Sequence, residues 1–254
     1  MKIKEWAANH LSLIINLPLL LIPILFIATL AQTPVLGDPT EYTFVANILG
    51  IAHPPGYAFI TVVGKLFQTL VPFGSIPWRM HLLSAVMGTA GTLFVFGTVL
   101  AINNQQETDN NQRISRLLPA IFAALVVGTA VDYWQHSIHA NPHVITAVFL
   151  AANLFFLTKW YVRMGSRGAA EQGRQSLSSP FPTPQPPAPT KWLYAFCVSA
   201  GLGVTHHPLT VFAWPGYALF ILVVWFRHPP HATRSPLSTL VRTLPKMLTF
   251  ACLG

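Results

Sequence analysis

Continuous apolar runs constrain this chain more than any other feature. Leu11 to Leu30 passes almost without a polar side chain, and comparable runs begin near Trp78, Leu117, His143, Trp192 and Leu209. About 20 apolar residues in a helix cross the roughly 30 Å hydrocarbon core of a bilayer, where the backbone must satisfy its own hydrogen bonds. The fold class that follows is all-α, a polytopic transmembrane helical bundle. A soluble chain of 254 residues would make one or two domains, but 52% hydrophobic against 9% charged residues overrules that expectation.

The spacing predicts a single transmembrane domain with spans over about 11–31, 78–101, 117–134, 143–162, 192–205 and 209–226, and the start of another at 247. The first run is too long for the roughly 7 to 15 apolar residues of a cleaved signal core, so it reads as an uncleaved span. Residues 32–77 then form a long first outer loop, whose stretch from Tyr57 to Val71 reads as a short interfacial helix. Gln135 to Pro142 reads as a brief outer turn. Residues 163–191 read as an inner linker, because Pro180 to Pro189 is rich in proline and favours extended polyproline structure. The apolar stretch from Met247 is too short to cross, which suggests a fragment or a shortened relative of a larger protein.

Charge tests the threading. Of the 15 Lys and Arg residues, all but Lys65 and Arg79 fall on the inner side, which leaves 13 there. That bias puts the N-terminus in the cytoplasm of an integral, multi-pass membrane protein, in a bacterial inner membrane or the endoplasmic reticulum. It also explains the net charge of +8 without nucleic acid, since the basic residues scatter over several loops. Cys197 and Cys252 sit inside apolar runs, where packing is expected in place of a disulfide or metal site.

The same threading gathers His53, His81, His136, His139, His143, His206 and His207 near the outer face, with Asp38, Glu41 and Asp132. Ionisable groups near membrane depth are costly unless paired or hydrated, so the convergence points to a functional cavity. Asp38 and Glu41 lie three apart on one face of a helix starting at Pro39, with Asp38 at its positive end. The plain alternative is an Asp N-cap with a first-turn Glu and no chemistry. His53-Pro54-Pro55-Gly56-Tyr57 must turn, which holds His53 on a stiff corner. His206 and His207 are neighbours, about 100° apart on a helix, and make a poor chelate, so no metal is expected. A carboxylate beside cations suits transfer chemistry: the carboxylate takes a proton from an attacking hydroxyl while Arg79, Lys65 or His stabilises a departing phosphate.

These residues carry a resemblance. D-P-T-E-Y, then A-N-I-L-G-I-A-H-P-P-G-Y, then W-R-M-H-L-L-S-A and finally G-L-G-V-T-H-H resemble a family of multispanning proteins grouped with the GT-C glycosyltransferases, which includes a protein O-mannosyltransferase of the animal secretory pathway. The likeness covers about Gly37 to Pro215. It implies a GT-C-like bundle whose first outer loop supplies the acid residue, and a sugar donor linked to polyprenyl or dolichyl phosphate. Carried over, Asp38 is the base that activates an acceptor hydroxyl and Glu41 supports it. His53, Arg79 and Lys65 would bind the donor phosphate, and His206 with His207 would line the cavity. Implied partners are the lipid-linked sugar, a protein or glycan acceptor, membrane lipids, and a partner chain supplying the family's C-terminal region. The sequence departs from the pattern at Thr40, Ala58, His81 and Ala140-Asn141-Pro142-His143. Two other classes stay open: a transporter or lipid-binding membrane protein, and a catalytically silent fragment.

Overall fold

The computed structural model describes residues 19–104, 113–175, 190–227, 245–247, 249 and 252. Within them every regular element is helical. In order these are α1 (Leu19–Ala28), α2 (Asp38–Ile48), α3 (Ala58–Leu70), α4 (Ile76–Asn103), α5 (Arg113–Thr129), α6 (Val131–Ser137), α7 (Pro142–Gln175), α8 (Thr190–His206), a 3-10 turn (Pro208–Ala213) and α9 (Trp214–Arg227).

The long central helix α4 starts at a clear signal. The Ser75 hydroxyl accepts a hydrogen bond from the Trp78 amide at 3.3 Å, and Pro77 in the first turn needs no donor. Its 28 residues reach about 42 Å, enough to cross a hydrocarbon core. By length and apolarity, Ile76–Asn103, Pro142–Ser166 and Pro208–Arg227 each qualify as spans among the described residues. A fourth candidate is α5 with α6, a pair bent by 68°. The described part of α1 and the 17-residue α8 fall below that length.

α4 packs along α7 and α5, and α7 packs in turn on α8. Three buried clusters follow from this order. The first joins α2, α3 and α4 to the start of α7 through Tyr42, Ala46, Tyr57, Ile60, Met80, Val144 and Ile145. A second holds α7, α8 and α9 together around Trp160, Leu193, Tyr217 and Trp225. The third seats α1 against α4 and α5 through Ile22, Phe26, Ala85 and Ala124.

Three sequence boundaries are corrected. The helix expected to run through residue 134 breaks at Ala130, and α6 occupies part of the expected outer turn, which shrinks to residues 138–141. Tertiary bonds explain the bend: the Trp134 indole donates to the Thr29 hydroxyl at 2.9 Å, and the Tyr133 hydroxyl donates to the Gly88 carbonyl at 2.8 Å. The expected linker from residue 163 begins as helix: α7 runs on to Gln175, with Ala169, Ala170, Glu171 and Gln172 favouring helix against Gly165, Gly168 and Gly173. The proline-rich segment lies outside the described residues, as do residues 1–18 of the first run. Cys197 is buried as expected, whereas Cys252 is exposed; both are free thiols.

Gly91 lies where α4 leaves no room for a side chain. A Cβ there would overlap the Tyr133 hydroxyl and press on Val148 Cγ2 at 3.1 Å. Gly91→Ala should therefore destabilise by about 1–3 kcal/mol, the usual cost of forcing a packed core apart, read as a lowered unfolding temperature in detergent.

Candidate active site

The segment from Gly37 to Tyr57 folds into a hairpin-like unit with Asp38 at the open end. Gly37 is the N-cap, with φ 86°, so Asp38 is the first helical residue and makes no capping bond. The plain reading of Asp38 as an N-cap is thereby corrected. Its carboxylate is exposed and makes no hydrogen bond or ion pair among the described residues. At the far end of α2 the backbone turns left-handed at Leu49, and the Gly50 amide donates back to Val45 at 2.9 Å. The prolines then force the corner, closed by the Gly56 amide donating to the His53 carbonyl at 2.9 Å.

That corner returns His53 to Glu41. Glu41 Oε1 accepts the His53 amide at 2.7 Å, and Oε2 accepts from Nδ1 at 2.9 Å. The backbone bond first, and the ring bond second, hold the Glu41 carboxyl below its ordinary value of 4.5. Because the folded value is the lower one, the pair adds stability above about pH 4.5 and loses it as pH falls through the folded pKa. A carbon-13 titration of the Glu41 carboxyl should thus show a midpoint below that of an unpaired glutamate. A midpoint at or above the free value would contradict the pairing.

An aromatic hub supports His53 from beneath. Its Nε2 lies 3.3 Å from the Tyr42 hydroxyl. Tyr57 packs edge-on to Tyr42 and His53, at 5.1 and 5.7 Å between centroids. Its ring also meets His206 at 5.7 Å and His207 at 5.4 Å. Burial, then the Tyr57 hydroxyl, push the Tyr42 phenol up, so it stays a neutral donor. Tyr57 itself takes a left-handed conformation, φ 48°, uncommon for a bulky residue.

The structure thus brings Asp38, Glu41 and His53 together, with one ligand atom from each within 4.8 Å of the others. A cation drawn to that spacing would compete with the proton that Nδ1 shares with Glu41. His206 and His207 reach the same region through Tyr57. His206 is fully buried and its Nε2 donates to the Pro142 carbonyl at 2.8 Å, while His207 Nδ1 accepts from the Leu209 amide at 3.2 Å. Burial first, and His143 second, push the His207 imidazole down, toward the neutral form.

Lys65 and Arg79 are placed differently. Lys65 Nζ donates to the Asn47 carbonyl at 2.5 Å, at the opposite end of α2 from Asp38. Arg79 donates from Nε to Phe73 and Gly74, both at 3.1 Å, and from Nη1 to Gln68 at 2.6 Å. Both cations terminate helices and a turn, satisfying carbonyls that α2 and α3 leave open.

Two supports escape a reading of the sequence. Tyr42 and Tyr57 are signalled there only by lying beside the acidic segment and the proline corner. His81 looks like one more outer histidine, but it is fully buried: its Nε2 donates to the Thr33 carbonyl at 3.1 Å and its Nδ1 accepts the Ala140 amide at 2.8 Å. Beyond it, His136 meets the rings of His139 and His143 at 5.9 and 5.7 Å. These histidines therefore do gather at one end of the bundle, though His81 and His206 serve as struts.

Comparison with known proteins bears on the chain's family. Residues 38–232 match the profile of a family described as protein O-mannosyl-transferase TMEM260 N-terminal domain. A protein O-mannosyl-transferase tmem260 of Dictyostelium discoideum is 28% identical over 158 residues, 60% of this chain and 18% of the relative. A protein O-mannosyl-transferase TMEM260 of Mus musculus is 34% identical over 130 residues, 51% of this chain and 16% of the relative. The chain thus matches less than a fifth of the length of either relative. No solved structure matches it. With some three quarters of its residues inside the profile and its acidic hairpin at the profile's start, the chain belongs to the family of the protein O-mannosyl-transferase TMEM260 N-terminal domain.

Proposed function

We propose that the chain works as the N-terminal part of a membrane mannosyltransferase, with a polyprenyl- or dolichyl-phosphate sugar as donor and a protein or glycan hydroxyl as acceptor. The observation that carries this reading is the exposed, unpaired Asp38 carboxylate held beside the Glu41–His53 pair. In the step proposed, the acceptor oxygen forms a bond to the sugar's anomeric carbon as the bond from that carbon to the phosphate oxygen breaks. The hydroxyl proton passes to Asp38 and the lipid phosphate leaves with the electron pair. A carboxylate within reach of the acceptor proton acts as the general base, and N–H groups aimed at the phosphate stabilise the charge it gains.

The N-terminus lies in the cytoplasm in this reading, so the acidic hairpin faces the extracytoplasmic side. The strong excess of basic residues in the other loops supports that orientation. Membrane lipids cover the exposed apolar flanks of the spans, such as Val86 and Leu93 of α4 and Leu150 and Leu154 of α7.

The test is transfer by the purified protein in lipid nanodiscs, offered a panel of radiolabelled polyprenyl-phosphate sugars and extracytoplasmic acceptor proteins. Label from the mannosyl lipid should enter the acceptor, while a sugar nucleotide alone should give none. Transfer from the nucleotide, or from no lipid phosphate at all, would refute the reading.

A further inference from the structure

We propose that Glu41 is a positioning residue that acts through His53, and that this pair, in place of Lys65 or Arg79, supplies the N–H that receives the donor's phosphate. The inference rests on the lipid-phosphate reading above and assigns Glu41 a partner other than Asp38.

Three observations lead there. First, both Glu41 oxygens are taken by one residue: the His53 amide at 2.7 Å and Nδ1 at 2.9 Å. A carboxylate accepts only, so Nδ1 must carry a proton, and the two bonds fix both the ring's plane and its tautomer. Second, Tyr42 and Tyr57 pack on that ring from its inner side, each 5.7 Å from its centroid, while the His53 side chain stays 41% exposed. The free nitrogen, Nε2, is therefore held at a set place, with only a long 3.3 Å contact to the Tyr42 hydroxyl to give up. Third, both permanent cations of this region are bonded to backbone. Lys65 closes the end of α2 and Arg79 the end of α3, so each would leave carbonyls unpaired on moving to a ligand.

When protonated at both nitrogens, His53 presents a charge-assisted donor beside the Asp38 carboxylate, and the Glu41 carboxylate balances the ring's charge from behind. A phosphate oxygen bonded to Nε2 would sit next to the base that takes the acceptor's proton. This is the arrangement that transfer requires.

The pair also closes residues 41 to 53 into a loop, so a purely structural role has to be told apart. Glu41→Gln keeps the shape and one acceptor oxygen but removes the charge. With the mannosyl lipid, Glu41→Gln and His53→Gln should each raise KM roughly tenfold or more with kcat changed much less, and the double variant should be no worse than the worse single one. Nitrogen-15 spectra of His53 should show one fixed state of the ring in the wild type and the loss of that single state in Glu41→Gln. Binding of polyprenyl phosphate without sugar gives a readout free of chemistry: saturable binding weakened in both variants, even with no transfer in the wild type, supports the pair while removing the transfer reading. Transfer by the wild type with KM unchanged in Glu41→Gln overturns the pair and leaves the transfer reading standing. Parallel losses of kcat and thermal stability, additive in the double variant, also overturn it, as does wild-type protein that does not bind polyprenyl phosphate.

Discussion

Asp38→Asn should lower kcat for sugar transfer by about 10²–10⁴-fold, the span that a positioned general base contributes, with donor KM nearly unchanged. The expectation follows from geometry. Asp38 is exposed at the first turn of α2 and spends no hydrogen bond on the fold among the described residues, so asparagine removes the proton acceptor without removing a structural contact. The helix does lose a favourable charge at its positive end, worth about 0.3–1 kcal/mol, which a melting curve would register as a small shift. Single-turnover assays with preloaded mannosyl lipid separate the two effects. A variant that transfers at the wild-type rate would remove Asp38 from the chemistry and direct attention to the Glu41–His53 pair alone.

His81→Leu should be the most damaging replacement in the framework, costing about 2–4 kcal/mol. The loss leaves the buried Ala140 amide and the partly buried Thr33 carbonyl without their partner. Leucine fills most of the space, so the cost reports unpaired polar groups more than an empty cavity. The check is a chemical or thermal unfolding series in detergent, with Val86→Leu on the lipid-exposed face of the same helix as a control expected to stay near wild type. Equal stability of His81→Leu and the control would mean that the two loops hold position without their shared imidazole.

How much of this is legible in the residues differs from place to place. The start of α2 within a residue of Pro39, the turn at His53 to Gly56 and the Ser75–Pro77 entry to α4 are readable, because proline, glycine and serine act locally on backbone angles. The gathering of histidines at one end follows from counting charges across the apolar runs. What local rules do not contain is partner choice. Three-residue spacing pairs Glu41 with Asp38, yet Glu41 spends both oxygens on a residue twelve positions away, across a turn whose return angle no spacing rule encodes. Lys65 and Arg79 look like ligand cations because a sequence displays charge but hides unsatisfied carbonyls. The bend at Ala130 has no proline at the break; its cause is a tryptophan reaching Thr29 just past α1, a contact 105 residues long in sequence. The extent of α7 is underestimated because the proline-rich composition beyond it colours the whole stretch from residue 163.

The corner between α6 and α7 is held at three successive residues. Ala140 bonds to His81, the Asn141 amide to the Ser84 hydroxyl at 3.2 Å, and Pro142 to His206. Two of those anchors lie on α4, upstream of the corner, and the third lies on α8, well downstream. A ribosome delivers these segments in order, so α4 and α7 meet in the bilayer while the Pro142 carbonyl still waits for a donor that has not been made. The floor beneath the acidic hairpin therefore closes only once His206 has been made, and a chain halted before that residue would leave the Pro142 carbonyl without its donor and Tyr57 without a ring it meets at 5.7 Å.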